Sequence, residues 1–261
     1  MPLSIHLFGP LSIHVYGVMI VLGVVAALVG FKRDAALQKL LSMDQIYLLV
    51  GLAIAASVAG GKLLYLCECL GEETSWPEVL GFWNAGFSVL GAFIAAPSVI
   101  AWYMYRHRMP IFKSFDRAIL YIPLTFAISR LGCFFAGCCF GVPTRCSLAV
   151  TYTDPESLAP THQRLHPTQL YSAFLEFLIF IVLYAWGQKK LKKTGQMFGT
   201  YLILMSIERF LVDFLRGDRT LVTKGLSFCQ ITAAGIGLTG VVILLLASYT
   251  TLFGSSKSAH P

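Results

Sequence analysis

Charge is scarce in this sequence. Only 13% of its 261 residues are charged, about half the share found in ordinary soluble domains, while 56% are hydrophobic. A water-soluble fold of this size cannot hide that much apolar surface, so lipid must be part of the solvent. Internal repeats and heptad patterns are also lacking, so neither a solenoid nor a coiled coil is expected. No polar stretch is long enough for a separate soluble domain. The longest, residues 136–167, reads as a loop, and residues 1–261 read as one membrane domain. The opening MPLSIHLFGPLSIHVYG has no basic region and no small-residue cleavage site. The first apolar run is therefore expected to stay as a helix rather than leave as a signal peptide.

What is abundant is apolar sequence in long runs. Spanning a bilayer takes roughly 20 residues, and runs of that size fall at 12–31, 46–66, 86–105, 115–135, 168–187, 196–215 and 226–248. The fold class is therefore all-α integral membrane, with about seven transmembrane helices. Small residues, as in GLAIAASVAGG, suit close helix contact in lipid. With the N-terminus outside, twelve lysines and arginines fall on the inner side: Lys32, Arg33, Lys39, Arg106, Arg108, Lys113, Arg117, Lys189, Lys190, Lys192, Lys193 and Lys257. Five fall outside: Arg145, Arg164, Arg216, Arg219 and Lys224. That bias predicts an N-out, C-in topology. The loop carrying Glu68, Glu72, Glu73 and Glu78 has no basic residue and falls outside, as does the 136–167 loop. The net charge of +7 is then mostly topology signal and does not indicate a nucleic-acid partner.

Three cations remain inside the runs: Lys62, Arg130 and Arg209. Lys62 can snorkel outward. An arginine at bilayer depth costs at least about 2.5 kcal/mol, so it marks either an ion pair or a functional site. Glu176, Glu208 and Asp213 are the available pairing partners. In the assigned topology Arg130 and Arg209 both lie roughly 10 Å below the outer surface, at 1.5 Å per residue. Two guanidiniums at one depth suggest a shared anion, and a phospholipid phosphate fits their two-pronged geometry. Arg209, Asp213 and Arg216 follow i, i+4, i+7 spacing and share a helix face. On that face Asp213 is expected to hold Arg209, with Arg216 capping the outer end.

These residues sit in motifs that resemble the prolipoprotein diacylglyceryl transferase family along nearly the whole chain. GPLSIHVYGVM is similar to the family's N-terminal motif around a functional tyrosine, here Tyr16. SRLGCFFAGCCFG resembles the signature G-R-x-G-N-F-x-N-x-E-x-x-G, with Arg130 as its arginine and Gly141 as its last glycine. HPTQLY, His166 to Tyr171, is a family motif as it stands, and RFLVDFLR resembles R-F-x-x-E-F-x-R through Arg209, Asp213 and Arg216. Asp116 falls on a family aspartate. The resemblance implies a multi-pass enzyme of the bacterial inner membrane, with its site toward the periplasm. Such an enzyme moves diacylglyceryl from phosphatidylglycerol to a lipoprotein-precursor cysteine. A thiolate attacks the glycerol carbon, glycerol phosphate leaves, and the arginines stabilise the leaving anion.

The sequence departs from the family at several places. Where the family has a His-Gly-Gly histidine, FSVLGAF presents Leu90, which accepts no proton. The signature's two asparagines and glutamate become Cys133, Ala136 and Cys138. The donor-phosphate site is retained and the acceptor side is altered, so the acceptor is a lipoprotein cysteine or a different group. His166 then stands as a replacement base, or as an anchor for the 136–167 loop at the cap of the fifth span. Arg130, Arg209, Tyr16 and His166 form the expected catalytic set. Arg216, Asp213, Cys133, Gly141, Gln169 and Tyr171 form the expected binding set.

Seven cysteines are present, at 67, 69, 133, 138, 139, 146 and 229. Six lie near the outer face, where disulfides persist. A bridge between Cys67 or Cys69 and Cys138 or Cys139, small-residue packing, and a covalent role for Cys133 or Cys138 all remain open. With His162 and His166 these cysteines give no clean zinc pattern, so no metal or other cofactor is expected. A monomer is expected. The alternative function is a non-catalytic phospholipid-binding or lipid-transporting protein that kept the phosphate site. A small-anion transporter is disfavoured, because inverted repeats and paired broken helices are lacking.

Overall fold

The computed structural model describes residues 4–8, 11–69, 88–223 and 225–249. The acidic residues Glu72, Glu73 and Glu78, and Lys224 and Lys257 from the charge count, lie outside the described residues. The described chain is mostly helical and forms two compact units.

The smaller unit, residues 35–114, holds α2 (Ala35–Gln38), α3 (Met43–Glu68) and α4 (Val89–Arg106). Ser42 begins α3 with a capping box, exchanging hydrogen bonds with Gln45, which satisfies two otherwise orphaned amides. The GLAIAASVAGG segment packs closely, as its small residues predict. A Cβ on Gly60 would lie 2.2 Å from Ala95 Cβ and 2.7 Å from Gly91 O. Leu90 near the start of α4 is 51% exposed.

The larger unit comprises residues 1–34 and 115–261. Strands β1 (Ser4–Phe8) and β2 (Leu11–His14) pair antiparallel, so the first run starts as a hairpin and becomes helical only at α1 (Val15–Arg33). The expected helix over 115–135 is broken. α5 (Ile111–Ala118), which begins in the smaller unit, and α6 (Ile122–Ala136) meet at 49°. Pro123 in the first turn of α6 explains where the second helix starts, since that position needs no amide donor. α7 (Thr168–Val182) continues through a π-helical turn (Leu183–Gly187) into α8 (Gln188–Lys190). α9 (Gln196–Asp213) and α10 (Phe228–Tyr249) follow, joined through β5 (Leu221–Thr223) and β6 (Leu226–Ser227). Helix α1 packs on α6, α6 on α7, α7 on α9, and α9 on α10.

Among the described residues four helices are long and apolar enough to cross a membrane: Val15–Arg33, Met43–Cys67, Thr168–Lys190 and Phe228–Tyr249. The bent pair α5–α6 makes a fifth. α9 carries Glu208, Arg209 and Asp213 and is not among them, and neither is α4.

Two polar clusters pin the α6–α9 side of this unit at the end where both helices begin. Arg117 Nη2 donates to both Asp34 carboxylate oxygens at 2.7 and 2.8 Å, and the Tyr121 hydroxyl lies 3.1 Å from Asp34 Oδ2. Asp116 accepts the backbone amides of Gly195 and Phe198, the latter at 2.9 Å. It therefore caps α9, whose own Ncap is a glycine with no side chain to do so. Asp116→Ala should lower stability by about 1–2 kcal/mol. A thermal midpoint lower by a few degrees in detergent, with turnover retained in the folded fraction, is the expected result.

The 136–167 loop is ordered into short extended pieces. β3 (Val150–Thr151) pairs with β4 (Arg164–Leu165). Segment 140–144 is clasped between two strands of chain. Gly141 N donates to His166 O at 3.0 Å, and His166 N donates to Val142 O at 3.1 Å. On the other side Val142 N donates to Leu215 O at 2.9 Å, and Gly217 N to Phe140 O at 2.8 Å. This clasp ties the end of α6, the start of α7 and the end of α9 together.

Candidate functional site

The clasp brings three helix ends around a cleft of about 280 Å³. α6 contributes Arg130, α9 contributes Glu208, Arg209, Val212, Asp213 and the following Arg216, and α10 contributes Cys229. Thr168, Gln169 and Ser172 of α7 and Cys139 of the loop complete the wall. Arg130 and Arg209 thus line one cleft, with Arg216 beside them.

The pairing inside the cleft differs from the expected one. Asp213 does not hold Arg209. It accepts from the Ser227 hydroxyl at 2.5 Å and lies 3.3 Å from Arg219 Nε. The chain turns after α9, so Arg219 and Ser227 approach Asp213 more closely than the helix neighbour four residues back. Arg209 Nε instead lies 3.4 Å from Glu208 Oε2, and Glu208 Oε1 accepts from Ser172 at 2.6 Å. Arg216 forms a two-pronged contact with Asp218, both distances 2.8 Å. Among the described residues Arg130 has no carboxylate within 4.0 Å. Its Nη1 approaches only sulfur, 3.9 Å from Cys133 and 3.7 Å from Cys139. A guanidinium with no carboxylate in contact among the described residues, in a cleft with two others, has the chemistry to take an external anion.

The other expected site residues divide into supports and bystanders of this cleft. Gly141 holds the clasp: a Cβ there would meet His166 Cβ and O at 2.5 Å and Leu215 O at 3.0 Å. Gln169 lines the cleft but is 1% exposed, and its amide donates to Cys138 O at 2.8 Å. It fixes the loop from within the cleft wall. Thr168 does the same through Cys139 O at 2.6 Å. α7 starts at Thr168 with Pro167 at its cap, one residue later than the expected cap at His166. His166 anchors the clasp by its main chain and aims Nδ1 at the Tyr171 hydroxyl, 3.1 Å away. Neither His166 nor Tyr171 is in the cleft wall. Tyr16, 42% exposed, backs onto Gly132 of α6, where an added Cβ would lie 3.2 Å from its Cα.

All seven cysteines are free, so the bridge that the sequence left open is not formed. Cys67, in the last turn of α3, is exposed, and Cys69 caps that helix through its amide to Tyr65 O at 3.0 Å. Cys133, Cys138 and Cys139 come together instead, their sulfurs within 4.8 Å of one another. Tyr152, in the loop outside the membrane-crossing helices, reaches this corner. Burial pushes its hydroxyl up to about 12, so it stays protonated and lies 3.1 Å from Phe134 O as a donor.

Sequence reasoning took Glu208 only as an available pairing partner and missed Ser172, Thr168 and Cys229 as cleft residues. A signal for part of this was present: Thr168, Ser172 and Glu176 recur at four-residue spacing along an otherwise apolar helix, a polar stripe that must face protein.

A family model described as prolipoprotein diacylglyceryl transferase matches residues 2–246. The chain belongs to that family. Curated relatives span it almost end to end. A phosphatidylglycerol–prolipoprotein diacylglyceryl transferase of Clostridium tetani is 34% identical over 217 residues, covering 83% of this chain and 86% of its own. A second, from Clostridium perfringens, is 31% identical over 246 residues, with 91% and 92% covered. The Thermotoga maritima enzyme of the same name is 28% identical over 241 residues, with 88% and 80% covered. Membership in a family of lipoprotein-modifying transferases, and the apolar helices described above, make this a multi-pass membrane protein.

Proposed function

We propose that this transferase family member moves a diacylglyceryl group from phosphatidylglycerol to the cysteine of a lipoprotein precursor, at the outer side of the bacterial inner membrane. The observation that carries this reading is Arg130, a guanidinium in the cleft of Arg209 and Arg216 with no carboxylate of its own among the described residues. The phosphodiester of the donor carries one negative charge and fits that seat. The acceptor thiol gives its proton to a base and attacks the glycerol carbon. The carbon–oxygen bond breaks, and glycerol phosphate leaves with a second negative charge. Arginines aimed at that phosphate bind it more tightly after the bond breaks than before, which is what accelerates the step. The reading rests on a single membrane domain of seven passes, N-terminus out, acting as a monomer without a cofactor. Tyr16 flanks the site from α1.

We assign the proton acceptor to Glu208 rather than His166. Glu208 lines the cleft and is held by Ser172 and Arg209, whereas His166 turns toward Tyr171 outside it. General acid–base groups contribute about 10²–10⁴-fold. Glu208→Gln should lower kcat by at least about 10²-fold, and His166→Gln should retain most activity. The reverse ranking would return the role to the histidine.

A second reading is favoured by Leu90 and by the cysteines at the signature's Asn and Glu positions: the same donor chemistry with a different acceptor. Rescue of a strain lacking its lipoprotein transferase decides between them. Under the first reading the unaltered chain restores growth and diacylglyceryl-modified lipoproteins. Under the second it does not, and Leu90→His does not help.

A further inference from the structure

Beside the arginine cleft, at the C-terminal end of α6, stands the densest group of nucleophilic side chains in the described chain. The sulfurs of Cys133, Cys138 and Cys139 all lie within 4.8 Å of one another, and all three thiols are free. Two backbone reversals bring them together. Gly137 ends α6 at φ 74°, and Cys139 follows at φ 58°, a left-handed conformation that non-glycine residues rarely adopt. The turn is held from α7, through Thr168 to Cys139 O at 2.6 Å and Gln169 to Cys138 O at 2.8 Å.

We propose that Cys133, Cys138 and Cys139 form a binding site for one thiophilic metal ion of the zinc class. Zinc–sulfur bonds of about 2.3 Å at tetrahedral angles set sulfurs about 3.8 Å apart. The triad therefore closes on such an ion by contracting about 1 Å at most. Thiolates select zinc or copper(I) over magnesium and calcium, which prefer oxygen. Each thiol releases its proton to solvent on binding, and a divalent ion with three thiolates carries one net negative charge. Arg130 Nη1, 3.9 Å from Cys133 Sγ and 3.7 Å from Cys139 Sγ, supplies the compensating positive charge. Cys139 is also a wall of the cleft, so a coordination position left open on its side faces the cleft. The binding does not depend on the transferase reading and is measured without turnover.

The experiment uses the full chain in nanodiscs of phosphatidylglycerol and phosphatidylcholine, purified with reductant and stripped by a chelator. After zinc addition and dialysis, one zinc per chain should remain. Cadmium should give a near-ultraviolet thiolate-to-metal charge-transfer band. The combined variant Cys133→Ser, Cys138→Ser, Cys139→Ser should lose both signals, while Cys67→Ser and Cys146→Ser keep them. The unaltered protein gives a readout that does not depend on the folding of any variant. Cadmium should protect the three triad cysteines from maleimide and leave Cys67 and Cys146 reactive. Zinc well below one per chain, or triad labelling unchanged by cadmium, would overturn the proposal. So would a purified chain lighter by two hydrogens through a bond among these sulfurs.

Discussion

Arg130→Ala is expected to abolish turnover and to leave the protein folded. This is among the largest effects expected of a single substitution in the cleft. Removing one donor aimed at a developing oxyanion costs about 10²–10³-fold in kcat, and Arg130 is the cleft arginine with no carboxylate within 4.0 Å among the described residues. Its charge is therefore not taken up by a carboxylate in direct contact. Arg209 lies against Glu208 at 3.4 Å, and Arg216 is fastened to Asp218, so part of the charge on each is already compensated. Arg209→Ala should also abolish activity, and Arg130→Lys should rescue little, because a point charge does not reproduce two-pronged binding. The fold should survive, since the Arg130 contacts are weak ones to sulfur. Turnover measured with phosphatidylglycerol, beside a thermal melt of each variant, checks both halves. Normal activity in Arg130→Ala would end the phosphate-seat account.

Gly141→Val is expected to be the most damaging substitution outside the charged residues. The position has no room: an added Cβ already meets His166 and Leu215 at 2.5 to 3.0 Å, and most of those contacts are backbone, which cannot rotate away. The clasp must open by moving either the 164–166 or the 215–217 segment. Either shift pulls α7 or α9 away from α6 and separates Arg130 from Arg209. A loss of about 2–4 kcal/mol is the scale of overpacking together with broken backbone hydrogen bonds. Much reduced yield, and inactivity in whatever folds, is the expected outcome. A well-folded, active Gly141→Val would mean that the clasp does not organise the cleft.

Much of this was legible in the sequence because lipid is an unforgiving solvent. Arg130 and Arg209 stood out as charges in apolar runs, and the i, i+4, i+7 stripe correctly put Arg209, Asp213 and Arg216 on one cleft wall. Helix limits followed the apolar runs to within a few residues, except where Pro123 breaks the fourth run and where residues 11–14 pair as a strand. The errors concern partners. Asp213 was matched with the arginine one helical turn away, while the chain reversal after α9 delivers Arg219 and Ser227 to it. Glu208 was named only as an available pairing partner, yet α7 packs beside it and Ser172 also meets it. The clasp joins segments separated by many residues, and no local pattern encodes that. The cysteine triad depends on a left-handed Cys139, which nothing in C-x-x-x-x-C-C spacing announces. Spacing gives neighbours along an element, whereas these contacts are set by how elements close on one another.

The central claim is that the arginine cleft supports displacement of glycerol phosphate from phosphatidylglycerol by a cysteine thiolate. The most direct measurement reconstitutes the chain in phosphatidylglycerol liposomes with a lipoprotein-precursor peptide. It follows free glycerol phosphate and the peptide mass together. The account predicts one glycerol phosphate released for each peptide gaining a diacylglyceryl thioether, with both absent in Arg130→Ala. Phosphatidylglycerol bound by the protein, with neither product formed over the same interval, would contradict it.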